Sequence, residues 1–147
     1  MWSFSNALFS RGMSYVERDR RVELKLFGFQ ADGERMLPAG GSMVRHRDGS
    51  MGWVRPSSLG VNETWADAIQ ILIASLGGEE AVASLIESLN PDRRVIAISV
   101  PFGSPYQENN GLTAETVQML ARLSLELDVC PLDFDPRNPS HLAPERY

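Results

Sequence analysis

The chain has one cysteine, Cys130, in 147 residues. No intramolecular disulfide can form, so stability must come from a packed core, and a reducing cytoplasm fits this usage. It has two histidines, His46 and His141. With Cys130 they share no ligand spacing such as HxxxH or CxxC, so no metal site is read from them. Lys25 is the single lysine among fourteen basic residues. No apolar run approaches the roughly 18 residues of a membrane span. The apolar start MWSFSNALFSRGM lacks a preceding basic region and is a poor signal peptide. Residues 1–12 are read either as an extension ahead of a start at Met13 or as a short docking arm.

Other chemical signatures are missing too. Gly103-Ser104-Pro105 is not a nucleophile elbow, because no second glycine follows at a strand-to-helix turn. The glycine pairs 40–41 and 77–78 lack the Lys-Ser/Thr of a phosphate-binding loop. No basic patch is interleaved with aromatics, and the net charge of -5 argues against general nucleic-acid binding. Cys130 lies in a strand-like run, where a free thiol usually behaves as a small buried hydrophobe. No catalytic set, cofactor or metal is therefore expected.

What is present is 43% hydrophobic residues, enough for one core. The charge is uneven. Residues 1–60 hold nine Lys/Arg against six Asp/Glu, and residues 61–147 hold five against thirteen. The second half is either a set of solvated helix surfaces or an acidic face for a basic partner.

The patterns place the elements. Arg21 to Phe29, RVELKLFGF, alternates with Val22, Leu24 and Leu26 on one side, which predicts a half-buried strand. ADGERMLPAGGS reads as a loop with one helical turn. Asp48-Gly49 between short alternating runs predicts a hairpin, its second arm ended by Pro56. Asn62 is expected to cap a helix whose apolar stripe is Trp65, Ala68, Ile69, Leu72, Ile73 and Leu76. Gly77-Gly78 ends that helix, and Glu79-Glu80 open a second with Ala81, Val82, Leu85, Ile86 and Leu89 inside. RVIAISV, residues 94–100, predicts a central strand covered on both faces. Thr113 is expected to cap a third helix with Val117, Leu120, Ala121 and Ser124 inward. LDVCPLDF is a last strand, and Pro131, which cannot donate a ladder hydrogen bond, argues for an edge position or a bulge. The resulting class is α+β: a small, mostly antiparallel sheet with helices on one face, ferredoxin-like in outline. Residues 1–19 are an N-terminal extension, 20–134 one domain, and 135–147 a Pro-rich tail.

One stretch stands out for length. VPFGSPYQENNGLTAE, residues 100–115, joins a strand to a helix with about twice the usual two to six residues. Phe102 and Tyr106 on such a loop have the chemistry of interface anchors, and Asn109-Asn110-Gly111 is a turn able to take left-handed φ. The plainer reading folds Phe102 back against the core edge.

These pieces resemble the bacterial domain-of-unknown-function family 4279. The matching pieces are RVELKLFGF, Trp53, ETWADAIQILIASLG, VIAISV, NNGLTAETVQMLARLSLELDV and a terminal DF, spanning about residues 20 to 134. The chain departs at the first connection, where the family tends to carry a short helix and a Gly-x-x-Pro piece. The family has no established enzyme activity. Its small acidic members resemble immunity proteins that neutralise bacterial toxins.

Two functional classes follow as expectations. The first is a non-enzymatic, cytoplasmic protein-binding module of immunity type, meeting a partner with a basic surface through Phe102, Tyr106, Asn109, Asn110, Glu79, Glu80 and Glu87. The second is a small-molecule-binding or regulatory domain, with a pocket between the sheet and the Trp65 helix contacted by Trp53 and His46. A homodimer through a free strand edge fits either.

Overall fold

A computed structural model describes residues 20–60, 62–102 and 111–133, apart from the side chains of 101, 102 and 131–133. Five strands form one sheet: β1 (Arg21–Phe29), β2 (Ser42–Arg45), β3 (Met51–Ser58), β4 (Arg93–Phe102) and β5 (Glu126–Asp133). Three α-helices are described: α1 (Trp65–Ser75), α2 (Glu79–Leu89) and α3 (Ala114–Arg122). A 3-10 turn at Ala31–Met36 supplies the one helical turn expected after β1.

The strand order is β2-β3-β1-β4-β5. β1 is central, pairing antiparallel with β3 and with β4, and β2 pairs antiparallel with β3. β4 and β5 are parallel. A parallel pair needs a crossover, and the long loop with α3 provides it. The α+β class is thus observed, in a mixed sheet that is mostly antiparallel. In chain order the connections run through three strands, then a helix pair, then one β-α-β crossover.

One face of the sheet builds the core. Val22, Leu24 and Leu26 of β1, Ile96 and Ile98 of β4 and Trp53 of β3 are all at most 1% exposed. Ala68, Ile69 and Leu72 of α1, Val82 and Ile86 of α2, and Met119 and Leu120 of α3 pack into the same cluster. Each large apolar side chain so buried contributes about 1.5–3 kcal/mol.

Several boundaries differ from expectation. β3 runs through Pro56 to Ser58. β2 stops at the pair Ser42↔Val54, so Pro56 has no β2 residue opposite it and its missing N–H breaks no rung there. Thr64, not Asn62, caps α1: its hydroxyl accepts from the Asp67 N–H at 3.1 Å. On α2, Ala81 is exposed and Leu85 only half-buried. On α3 the inner face is Thr116, Met119, Leu120 and Leu123, while Val117 is 50% exposed and Ala121 is also outside. Burying Thr116 is possible because its hydroxyl meets those of Thr113 at 2.9 Å and the Gln70 amide at 3.5 Å. Ser124 lies beyond the helix with φ 51°, and the Leu125 N–H closes the end onto the Leu120 carbonyl at 2.9 Å.

Candidate functional site

The acidic candidates sit on α2. Gly77 and Gly78, with φ of 100° and 96°, turn the chain sharply out of α1. The Gly78 N–H caps the Ile73 carbonyl at 3.0 Å, so α2 starts in a fixed place. Val82, Ile86 and Leu89 hold its inner side. Glu80 and Glu87, seven residues apart, then share the outer side, and both are exposed. Glu79 turns toward α3. The Arg122 guanidinium donates to both of its carboxylate oxygens, at 2.6 and 3.0 Å. That bidentate contact lowers the Glu79 pKa from the ordinary carboxylate value and raises that of Arg122. Gly77, Glu80, Ala83, Arg122 and Leu123 line an open cleft of about 640 Å³ around this pair.

The loop candidates stand differently. The side chain of Phe102, and Tyr106, Asn109 and Asn110, lie outside the described residues. Both ends of the loop are placed. It leaves the end of β4, and the Gly111 carbonyl accepts from the Ala66 N–H at 3.2 Å, at the start of α1.

The alternative pocket is not assembled. Trp53 is 1% exposed, in the core, and its indole lies where a Cβ at Gly41 would collide with it. Trp65 is half-buried at the head of α1. His46 is exposed on the β2–β3 turn, its ring edge-on to Phe27 at 6.1 Å. Trp53 pairs with Leu26 and therefore shares the helix-covered face, whereas Phe27 points to the other. Trp53 and His46 thus stand on opposite faces of the sheet. The turn carrying His46 is held as the Asp48-Gly49 pair predicts. Asp48 accepts from the Ser50 N–H at 2.9 Å and its hydroxyl at 2.7 Å, which lowers the Asp48 pKa.

A constellation missed by the sequence reading lies on that second face. Arg21, Glu23 and Lys25 alternate along β1 with their side chains on one side. Glu23 Oε1 is 3.1 Å from Arg21 Nε, and Glu23 Oε2 is 3.3 Å from Lys25 Nζ. Glu23 is only 5% exposed, so the second face of β1 is covered at its middle, while Arg21, Lys25 and Phe27 on that face are half-buried. The available signal was the strict order of charges, plus, minus, plus, at spacing two. Cys130, opposite Ser99, borders the same face and is half-exposed, not a buried hydrophobe. Desolvation, then the Asp128 carboxylate with Sγ–Oδ2 at 3.6 Å, raises its pKa. Among the described residues no group of three or more His, Cys, Asp or Glu is placed to hold a metal ion. No helix among them is long and apolar enough to cross a membrane.

No family model matches this chain, and comparison with curated proteins and with solved structures finds no match either.

Proposed function

We propose that the chain is a non-enzymatic protein-binding module of immunity type, which binds a bacterial toxin through a basic surface on the toxin and blocks it. The observation that carries this reading is the row of exposed carboxylates Glu80 and Glu87 on α2, beside the Glu79–Arg122 pair. A rigid helix presents them, and the half of the chain to which it belongs is strongly acidic. Such a field steers a cationic partner into encounter and orients it on arrival. The long loop supplies the second part of the surface in this reading. Charge sets the rate of approach, and the aromatic pair Phe102 and Tyr106 slows departure.

The test begins with a tagged chain and the proteins it retains from its own host. A basic protein bound one to one should arrest bacterial growth when expressed alone and lose that effect when this chain is co-expressed. The Glu80→Lys/Glu87→Lys variant should then associate roughly tenfold more slowly at low salt, an effect that fades at high salt. Phe102→Ala/Tyr106→Ala should raise the dissociation rate. A partner with no toxicity, or one bound equally well by both double variants, would sink the proposal.

A further inference from the structure

β5 closes the sheet at the end away from β2, and among the described residues it pairs with β4 alone. Rows that are buried at β4 open at β5. Ile96 and Ile98 are fully buried on the helix-covered face, yet their partners Leu127 and Val129 are each 39% exposed. The helix layer stops short of the last strand. On the other face Val95 and Ala97 are at most 2% exposed, while their partners Glu126 and Asp128 are exposed. Residues 126–129 are thus open on both faces of one strand. Such an edge offers main-chain donors and acceptors, two apolar side chains on one face and two carboxylates on the other.

The charges say what can pair with it. Glu126 is already held by Arg93 at 3.1 Å. Asp128 accepts from the Cys130 thiol at 3.6 Å and has no ion pair among the described residues. A second copy of β5 fits badly. In an antiparallel ladder about a two-fold axis, opposed residues share a face, so the ladder is centred on one residue. Centred on Glu126, Leu127 or Asp128, it sets Glu126 against Glu126, Glu126 against Asp128, or Asp128 against Asp128. Like charges directly opposite are destabilising. Centred on Val129 or Cys130, it brings in Pro131, which has no N–H to give. The chain's other sheet edge, β2, is only Ser42–Arg45, too short for the about 800 Å² that each partner of a stable pair buries. A foreign strand avoids these conflicts when it sets a cation opposite Asp128 and apolar side chains opposite Leu127 and Val129.

We propose that the edge of β5 is a second interaction surface, separate from the α2 carboxylates, which takes an extended segment of a partner protein as a sixth strand. The segment has the pattern apolar, basic, apolar. Its basic side chain pairs with Asp128, its apolar ones lie on Leu127 and Val129, and main-chain hydrogen bonds hold it in register. The acidic edge thereby resists its own copies and admits a cationic strand. This surface stands whether or not the partner is a toxin.

The test uses the full chain and a fluorescent peptide of about seven residues that alternates valine and lysine, the length of a short strand. The control peptide alternates valine and glutamate. By anisotropy the lysine peptide should bind roughly tenfold or more tightly than the control, and Asp128→Lys should remove that preference. N-methylation of alternate peptide residues should abolish binding in one of its two registers and spare the other, because only one set of N–H groups faces β5. Amide NMR shifts should concentrate at residues 126–130. Alkylation of Cys130 by neutral iodoacetamide should slow several-fold at saturating peptide. Equal binding of the two peptides, indifference to N-methylation, or no binding at millimolar peptide would overturn the proposal. Shifts at Glu80 and Glu87 without any at 126–130 would assign the cation to α2 and overturn it as well. A mass above the monomer that blocks the peptide would give the edge to a second copy and equally refute it.

Discussion

At the middle of the sheet both faces are buried, but by different means. On the helix side the side chains of the sheet are mostly Val, Leu, Ile, Phe and Trp, packed against the apolar sides of the helices. On the other side the same strand β1 buries a carboxylate between a guanidinium and an ammonium, among Val95, Ala97 and Ser99. Burial by itself therefore says little about what holds a face together. Apolar packing tolerates loss of a contact in proportion to the volume lost. A buried paired charge does not, because removing its counter-charge leaves its desolvation cost without the attraction that offset it.

The comparison breaks most visibly in the apolar face. Leu24→Ala removes a fully buried side chain at the centre of β1 and should cost about 2–5 kcal/mol, read as a lower urea midpoint at unchanged slope. On the other face Glu23→Ala should cost about 2–3 kcal/mol despite deleting no large apolar group, since it removes the counter-charge that Arg21 and Lys25 share. Replacing the whole row with apolar residues, Arg21→Leu/Glu23→Leu/Lys25→Met, should recover most of that loss. A triple variant weaker than Glu23→Ala would mean the row contributes attraction and is more than a tolerated burial. The next effect is local: Thr113→Ala should cost about 1 kcal/mol, because the cap on the Thr116 N–H at 3.1 Å and the hydroxyl partner of buried Thr116 go together.

The smallest effects are electrostatic and report on the exposed surfaces. Glu79 has a folded pKa below its unfolded value. Its pairing favours the fold above the unfolded value and is lost as pH falls through the folded one. Arg122→Ala should move the Glu79 titration, followed by carboxyl NMR, back toward the ordinary glutamate value. Cys130 shifts the other way, so its alkylation rate should rise only above the usual thiol range, and Asp128→Asn should bring that rise to lower pH.

Much of the helix-side face was legible from period alone. Val22, Leu24 and Leu26, the α1 stripe, the Asp48-Gly49 turn, the Gly77-Gly78 break and the edge position of Pro131 all follow from local chemistry. The misses have a common cause. Thr64 displaced Asn62 as a cap, and α3 turned so that Thr116 went inward and Val117 outward. In each case a hydrogen bond to a particular partner outweighed an average preference. The candidate site was legible only in part. The exposed row on α2 follows from helical spacing, whereas the expected Trp53 and His46 pocket failed because strand alternation puts Trp53 on the helix face and Phe27, which His46 lies against, on the other.

The sequence by itself determined which residues repel water, where the chain turns, and how much charge each half carries, because these depend on a residue and its near neighbours. Only the tertiary structure decided that β4 and β5 run parallel, that Arg122 closes on Glu79 across 43 positions, and that Glu23 is buried rather than solvated. Those outcomes depend on which segments meet, and the meeting is settled by the burial of the whole core at once.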